Sequence, residues 1–124
     1  DNANRVVALI NINGKKIYLA SDIGEYGALK EGLDVEVELA KTIGKVDVYK
    51  VAHHGYMTYQ NSLTALQYLE PTYSIVNNDE ESNQIDGLID RLKFGNENYK
   101  KTYFTSNGHV EMTFNSTGTI SIKQ

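Results

Sequence analysis

The chain has 124 residues, a formal net charge of −4 and no cysteine, and its length suits one domain around a single core. Without cysteine there is no disulfide, thiolate metal site or cysteine nucleophile, so any metal must be held by histidine and carboxylate side chains. The acidic balance argues against nucleic-acid binding through the overall field, and no apolar run reaches the roughly 18 to 20 residues that span a bilayer.

Residues 6–20 predict a β-hairpin. Two apolar runs flank Asn13-Gly14, the pair typical of a two-residue hairpin turn. The second run continues into Ser-Asp-Ile-Gly at 21–24, so the carboxylate of Asp22 follows a strand, where functional side chains are common. Taken alone, Asp22 is more often structural, because an Asp at a strand end accepts backbone hydrogen bonds. Because the first residue is Asp1 rather than Met, we expect a segment of a longer protein.

Residues 34–43 predict an amphipathic helix. Apolar residues recur there every four positions, with Glu36, Glu38 and Lys41 between them, and Gly44 ends the pattern. Residues 46–51 are then rich in Val and Tyr, which predicts a strand that ends at His53-His54-Gly55. This is the second predicted strand that runs into a glycine-containing loop.

The remainder of the chain alternates helices and strands. Residues 63–69 predict a helix capped by Asn61 or Ser62 and stopped by Pro71, and a strand follows at 73–76. Ser82 is the predicted cap of one further helix through Leu92. The last three predicted strands span residues 102–105, 109–114 and 119–122. The order β-β-α-β-α-β-α-β-β-β predicts an α/β fold, a mixed sheet with helices over one face and a second face that needs another layer.

The histidines are the best local indication of chemistry. The chain has three, and His53 and His54 are adjacent at a predicted strand end, where Gly55 lets the backbone turn towards a ligand. A His pair before glycine is by itself more often structural than metal-binding. His109 lies in a predicted turn, and we expect it to be exposed and outside the site.

Three motifs in order carry a specific resemblance. They are Ser-Asp-Ile-Gly at 21–24, Val-Asp-Val-Tyr-Lys-Val-Ala-His-His-Gly at 46–55 and Leu-Glu-Pro-Thr-Tyr-Ser-Ile-Val at 69–76. Together they resemble the second half of the metallo-β-lactamase superfamily, nearest to the competence-type DNA-uptake domains and the teichoic-acid choline-phosphate esterases. The likeness covers nearly the whole chain. It implies the C-terminal half of an αββα sandwich, with residues 1–124 forming part of one domain.

The resemblance implies a two-metal site. Asp22 matches the family's metal-bridging Asp, and the pair His53 and His54 matches its terminal metal ligand. We take His54 as the ligand and His53 as the catalytic, substrate-facing group, although the sequence does not separate this assignment from the reverse. The implied activity is hydrolysis of a phosphodiester or related ester by a metal-bound hydroxide. Zinc is the expected metal, with two ions in the complete domain and manganese as the alternative.

The chain also departs from the family pattern. The family's His-x-His-x-Asp-His ligand cluster is absent, so we expect this chain alone to bind metal weakly or not at all, to be inactive, and to need the upstream half as its partner. Tyr56 stands where the DNA-uptake branch has Ser, and Asn83-Gln84-Ile85-Asp86 stands where it has an Asn-x-Tyr-x-His-Pro motif, which weakens a nuclease assignment. The alternative is a non-catalytic binding or assembly domain of the same fold.

Tyr56 is the predicted substrate-binding residue. The chain has nine tyrosines, and Tyr56 and Tyr59 follow the His pair, where aromatic rings can bind a choline-like cation. More often, tyrosines in such numbers pack strands. The resemblance implies a small phosphoester or cell-wall-type substrate. The absence of Cys with abundant Asn, Thr and Tyr is compatible with an extracellular or surface location in a bacterium, which we favour over a cytoplasmic one. We also expect self-association, because half a sandwich exposes a sheet face.

Overall fold

The computed structural model describes residues 6–21, 35–56 and 60–124. The strands are β1 (Ala8–Ile12), β2 (Lys15–Leu19), β3 (Val48–Lys50), β4 (Tyr73–Val76), β5 (Lys101–Phe104), β6 (Glu111–Phe114) and β7 (Ile120–Lys123). The helices are α1 (Val35–Ile43), α2 (Leu63–Leu69) and α3 (Leu88–Lys93), with short 3-10 helices at Ala52–Gly55, Asn83–Ile85 and Thr105–Asn107. The predicted α/β order of strands and helices is confirmed for the described residues.

The main sheet follows the order of the chain. Its five strands lie in the order β1-β2-β3-β4-β5. The pair β1–β2 is an antiparallel hairpin around Asn13-Gly14. The pairs β2–β3, β3–β4 and β4–β5 are parallel. Parallel crossovers are almost always right-handed, so a sheet that grows in one direction keeps its crossover helices on one face. The sequence prediction of helices over one face follows from this topology.

The core lies between that face and the helices. The register joins Tyr18, Tyr49, Ser74 and Thr102 across four strands, so their side chains share one face. Tyr18 and Tyr49 stack with ring centroids 5.5 Å apart. The helical residues packed into the same cluster are Ala40, Ala65, Leu66, Leu69, Leu88 and Leu92. Such close packing makes the sheet a rigid support for the loops at its ends.

The second face is partly covered by the hairpin β6–β7. Alternate residues of both strands are half-buried, and the residues between them are exposed. The half-buried residues form the cross-strand pairs Met112–Ile122 and Phe114–Ile120. Asn13 Nδ2 donates to the carbonyl oxygen of Phe114 at 2.8 Å and ties this hairpin to the β1–β2 turn. The hairpin therefore provides a partial second layer. No helix of the described part of the chain is long and apolar enough to cross a membrane.

Two local features differ from the sequence predictions. The helix predicted from Ser82 to Leu92 is divided into a 3-10 turn and α3, because Gly87 between them adopts a left-handed φ of +84°. Glu36, expected on the polar face of its helix, is only 5% exposed. Its buried carboxylate accepts hydrogen bonds from the backbone N–H groups of Asn61 and Ser62 at 2.6 and 2.9 Å. Of the two candidate caps of α2, Asn61 and Ser62, the structure has Ser62, whose Oγ accepts from Ala65 N.

Candidate functional site

The predicted site residues lie where parallel strands end. His53 and His54 follow β3, and Asn77 and Asn78 follow β4 at the same edge of the sheet. Pairing continues to this edge, with Val51 N donating to Ile75 O at 2.9 Å. The carboxyl ends of parallel strands are the usual location of ligand sites in open α/β sheets. Asp22, the predicted metal-bridging residue, lies outside the described residues, as does Tyr59.

The turn after β3 has an uncommon backbone. His53, His54 and Gly55 have consecutive positive φ angles of +44°, +55° and +79°. For a residue with a side chain, the left-handed region costs roughly 1 to 2 kcal/mol, so both histidines are held against a local preference. At Gly55 there is no room for a side chain, because an added Cβ would lie 2.9 Å from Val76 Cγ1 and 3.0 Å from Leu88 Cδ2. The turn is therefore pressed onto the core, and its backbone positions both imidazoles.

His54 is bound to the neighbouring loop at two points. Its Nδ1 lies 3.1 Å from the carbonyl oxygen of Asn77, and its own carbonyl oxygen accepts from Asn78 Nδ2 at 2.9 Å. A carbonyl oxygen only accepts, so Nδ1 carries the proton in this contact. In the neutral imidazole, Nε2 then has a free lone pair. In a metal-binding histidine, the ring nitrogen that does not bind the metal usually donates a hydrogen bond to a carbonyl oxygen or a carboxylate.

His53 and Tyr56 form an aromatic group beside His54. The centroid of the Tyr56 ring lies 4.9 Å from that of His53 and 5.8 Å from that of His54. The ring atom Nδ1 of His53 is buried and has no hydrogen-bond partner among the described residues. A buried polar atom without a partner is uncommon, because losing hydration without replacing it costs free energy. His53 thus retains an unused nitrogen next to the predicted ligand.

The buried tyrosines beneath the turn have raised pKa values. Burial, and to a smaller extent the nearby carboxylate of Glu36, together raise the pKa of Tyr18 to about 12. Burial likewise raises the pKa of Tyr49 well above its ordinary value, again with Glu36 adding to the effect. Tyr49 therefore keeps its hydroxyl proton and donates it to Asn61 Oδ1 at 3.0 Å. That contact links the core to the residues around the histidines.

A metal ion fits part of this arrangement. The free Nε2 of His54 and the unpartnered Nδ1 of His53 are nitrogen donors of the kind that zinc prefers. Within the ranges 6–21, 35–56 and 60–124, no group of three or more His, Asp or Glu residues could hold an ion. His109 is exposed, as predicted from its turn sequence. The residues of these ranges thus offer histidine nitrogens but no complete set of metal ligands.

A separate cavity lies away from the His pair. It has a volume of about 740 Å³ and is lined by residues at the amino ends of the parallel strands, among them Lys15, Asp47 and Lys100, and by Thr119 and Ile120 of the β6–β7 hairpin. Asp47 accepts from the backbone N–H of Lys16 at 2.9 Å. This cavity is at the opposite edge of the sheet from the His pair.

Several residues around the site were not singled out by the sequence patterns. Asn77 and Asn78 follow the predicted strand at 73–76 and belong to no motif, and Asn61 is marked in the sequence only as a candidate helix cap. The signal for Asn77 and Asn78 is their position directly after β4, at the same sheet edge as the histidines. No such signal marks Asn61, because its contacts depend on the tertiary fold.

Comparison with known proteins adds no relative. No protein-family model matches the chain. The comparison with curated proteins also finds no match. The likeness to the metallo-β-lactamase superfamily therefore stays a prediction that is carried by the motif residues around Asp22, His53 and His54.

Proposed function

We propose that this chain is the C-terminal part of a metal-dependent hydrolase that acts on a phosphodiester or a related ester. The observation that supports the proposal best is the contact between His54 Nδ1 and the carbonyl oxygen of Asn77 at 3.1 Å. This contact directs the lone pair of the neutral ring to Nε2, the nitrogen that is left for a ligand. The exposed position of His54 at the carboxyl edge of the sheet leaves that nitrogen accessible.

Each residue of the turn has a role in the proposal. His54 would hold zinc through Nε2, and Asp22 would supply the shared carboxylate ligand that the resemblance implies. His53, whose ring is half-buried, faces the substrate and moves a proton to or from it. The Tyr56 ring, packed beside both imidazoles, forms one wall of the substrate site. When bound, the zinc ions supply a nucleophile derived from water at neutral pH.

The upstream half of the domain is the expected partner in this chemistry. Catalytic zinc usually has three protein ligands, and the residues named here supply too few for two ions. The missing ligands are those of the His-x-His-x-Asp-His cluster. Its presence in the longer protein favours an enzyme, and other residues at those positions favour the non-catalytic binding or assembly domain.

The test compares this chain with the protein extended by its upstream half. Metal content and hydrolysis of bis-p-nitrophenyl phosphate are measured for both, each as the parent and as His54→Ala, His53→Ala and His109→Ala. We expect about two metal ions and activity in the extended protein only. His54→Ala should lose both, His53→Ala should lose activity with most of the metal retained, and His109→Ala should match the parent.

Two outcomes contradict the proposal. An extended protein that binds no metal favours the non-catalytic domain. Activity that survives His54→Ala shows that hydrolysis occurs elsewhere in the molecule. Loss of metal in His53→Ala, with metal retained in His54→Ala, keeps the hydrolase proposal but reverses the assignment of the two histidines.

A further inference from the structure

Asn61 holds both ends of the turn that carries the histidines. It is fully buried, and its Nδ2 donates to the carbonyl oxygens of Ala52 and Tyr56, each at 3.0 Å. Ala52 directly precedes His53, and Tyr56 follows Gly55. The two hydrogens of one amide group therefore bind the residues on either side of the left-handed turn.

The same carboxamide belongs to a closed ring of hydrogen bonds. The N–H of Ala52 donates to the hydroxyl of Tyr49 at 3.3 Å, and this hydroxyl donates to Asn61 Oδ1 at 3.0 Å. Asn61 Nδ2 then returns to the carbonyl oxygen of Ala52. Both backbone polar groups of Ala52 are thus bound by Tyr49 and Asn61. Buried networks in which each group has a partner restrict side chains to one arrangement.

The backbone of Asn61 is anchored independently of the turn. Its N–H donates to the Glu36 carboxylate on α1 at 2.6 Å, and its carbonyl oxygen accepts from Arg91 Nη1 on α3 at 2.9 Å. Both contacts involve a charged group, which makes them stronger than neutral hydrogen bonds. Asn61 also has a left-handed φ of +56°, a conformation that Asn tolerates better than most residues. Two helices therefore fix Asn61, and Asn61 in turn fixes the histidine turn.

We infer that Asn61 is the positioning residue of the His53–His54 turn: its carboxamide, fixed by α1 and α3, holds the strained backbone in the conformation that directs His54 Nδ1 to Asn77. The inference rests on the proposed function, because it assigns Asn61 the role of orienting the ligand and the catalytic histidine. Asn61 acts through the backbone of Ala52 and Tyr56 and contacts neither substrate nor metal.

Asn61→Asp isolates the role of the amide group. Aspartate has nearly the same shape and tolerates a positive φ, and it keeps an oxygen that accepts from Tyr49. It loses both Nδ2 donors and brings a carboxylate oxygen against the carbonyl oxygens of Ala52 and Tyr56. The turn then loses the amide hydrogen bond at each end, while the apolar core around it keeps its side chains.

Asn96 provides a matched control in the same chain. It is also buried, and its Nδ2 likewise donates to two carbonyl oxygens, those of Pro71 and Leu92, at 2.9 and 3.1 Å. Its Oδ1 accepts from a backbone N–H, that of Asn98, at 3.0 Å. Asn96→Asp therefore makes the same chemical change next to β4 and α3 but away from the histidine turn.

The test follows the imidazole nitrogens of the metal-free, ¹⁵N-labelled full chain by two-bond ¹H–¹⁵N spectra. For the parent we expect His54 in the Nδ1–H form. In Asn61→Asp we expect the His54 signals to shift towards those of the exposed His109. In Asn96→Asp we expect the His54 signals to stay unchanged, although its melting temperature falls by a similar amount. Equal behaviour of the two variants, or unchanged His54 signals in Asn61→Asp, overturns the inference.

A second variant keeps the inference testable if Asn61→Asp does not fold. Tyr49→Phe preserves the carboxamide and removes only the hydroxyl that joins Asn61 Oδ1 to the N–H of Ala52. We expect a smaller shift of the His54 signals in the same direction. Unchanged signals in folded Tyr49→Phe overturn the inference.

A Zn²⁺ titration separates this inference from the proposed function. In the protein extended by its upstream half, we expect Asn61→Asp to weaken zinc binding about 10- to 100-fold, the usual effect of removing a group that orients a ligand. Asn96→Asp should keep the affinity of the parent. If zinc leaves the His54 signals of the extended parent protein unchanged, the proposed function fails, while the metal-free spectra still decide the positioning role.

Discussion

The imidazole of His54 and the carbonyl oxygen of Asn77 lie 3.1 Å apart, so the turn after β3 is bound to the loop after β4. This contact predicts the tautomer of His54. In the neutral ring, the single N–H proton should reside on Nδ1, and Nε2 should be unprotonated. Imidazole ¹⁵N shifts measure this directly, with exposed His109 as the internal control. A His54 protonated on Nε2 contradicts the assignment of that nitrogen as the ligand.

The contact of Gly55 with the core predicts a large effect of one methyl group. Gly55→Ala combines a left-handed φ of +79° with contacts of 2.9 to 3.0 Å to Val76, Ile85 and Leu88. We expect a loss of about 2 to 5 kcal/mol in the free energy of unfolding, from backbone strain together with overpacking. Urea denaturation measures it.

Gly118→Ala is the matched control for that prediction. Gly118 has a similar φ of +85°, and nothing lies within 4 Å of an added Cβ. Only the backbone strain then applies, and the expected loss is about 1 to 2 kcal/mol. Equal losses at the two positions would show that Gly55 does not pack against the core as described.

The raised pKa values of Tyr18 and Tyr49 predict a loss of stability at alkaline pH. The pKa of Tyr18 rises from 10.0 in the unfolded chain to about 12 in the folded protein. Above pH 10 the unfolded chain therefore releases a proton that the folded protein keeps, which favours unfolding. The stabilisation is complete below about pH 10 and is lost as the pH rises towards 12, by up to about 1.4 kcal/mol per pH unit for each tyrosine.

Denaturation curves measured between pH 8 and about pH 12 show how much each tyrosine contributes to the alkaline loss of stability. The free energy of unfolding of Tyr18→Phe should decline less steeply with pH than that of the parent, because this variant lacks one of the two tyrosines with a raised pKa. Glu36→Gln should lower the pKa of Tyr18 only in part, since burial is the larger cause and the Glu36 charge the smaller one. A Tyr18→Phe variant with the same alkaline slope as the parent would refute the assignment.

The second face of the sheet predicts self-association. Ile10, Ile12 and Leu19 are 41%, 41% and 39% exposed, and the register puts all three side chains on the face away from the helices. Ile10→Glu should weaken association at least about tenfold, because an unpaired carboxylate loses its hydration in an apolar contact. Light scattering over a dilution series measures it.

Leu9→Glu controls for the added charge. Leu9 is 42% exposed on the same strand, but it faces the helix side of the sheet. Its substitution should leave association unchanged. A parent protein that is monomeric at every concentration contradicts the prediction, and equal effects of Ile10→Glu and Leu9→Glu would assign the contact to the edge of β1 instead.

Periodicity and turn residues were sufficient to predict most of the fold. The Asn13-Gly14 hairpin was predicted, and the cap of α2 was narrowed to Asn61 or Ser62, because these signals are local in the chain. The division of the helix before α3 was missed, because apolar spacing continues from Ile85 to Leu92 while Gly87 turns left-handed between them. The spacing of hydrophobic residues does not show that a single residue between them adopts a left-handed backbone conformation.

The site was predictable only in part for a similar reason. Adjacent histidines before a glycine are visible in the sequence, whereas the partner of His54 lies 23 residues further along the chain. Glu36 resembles any charged residue of an amphipathic helix, and its burial depends on backbone N–H groups 25 and 26 residues away. Such long-range hydrogen bonds arise from the tertiary fold and leave no periodic trace in the sequence.

The chain-ordered sheet has a consequence for how the molecule folds. Each parallel strand from β3 to β5 pairs with the strand that precedes it in the chain, so every loop closure spans only one crossover. The entropic cost of closing a loop rises with its length. Short sequence separations between contacting residues therefore favour fast folding. Synthesis from the amino terminus can therefore add one strand at a time to a growing edge, and the histidine turn acquires its Asn77 contact only when the next strand, β4, has joined.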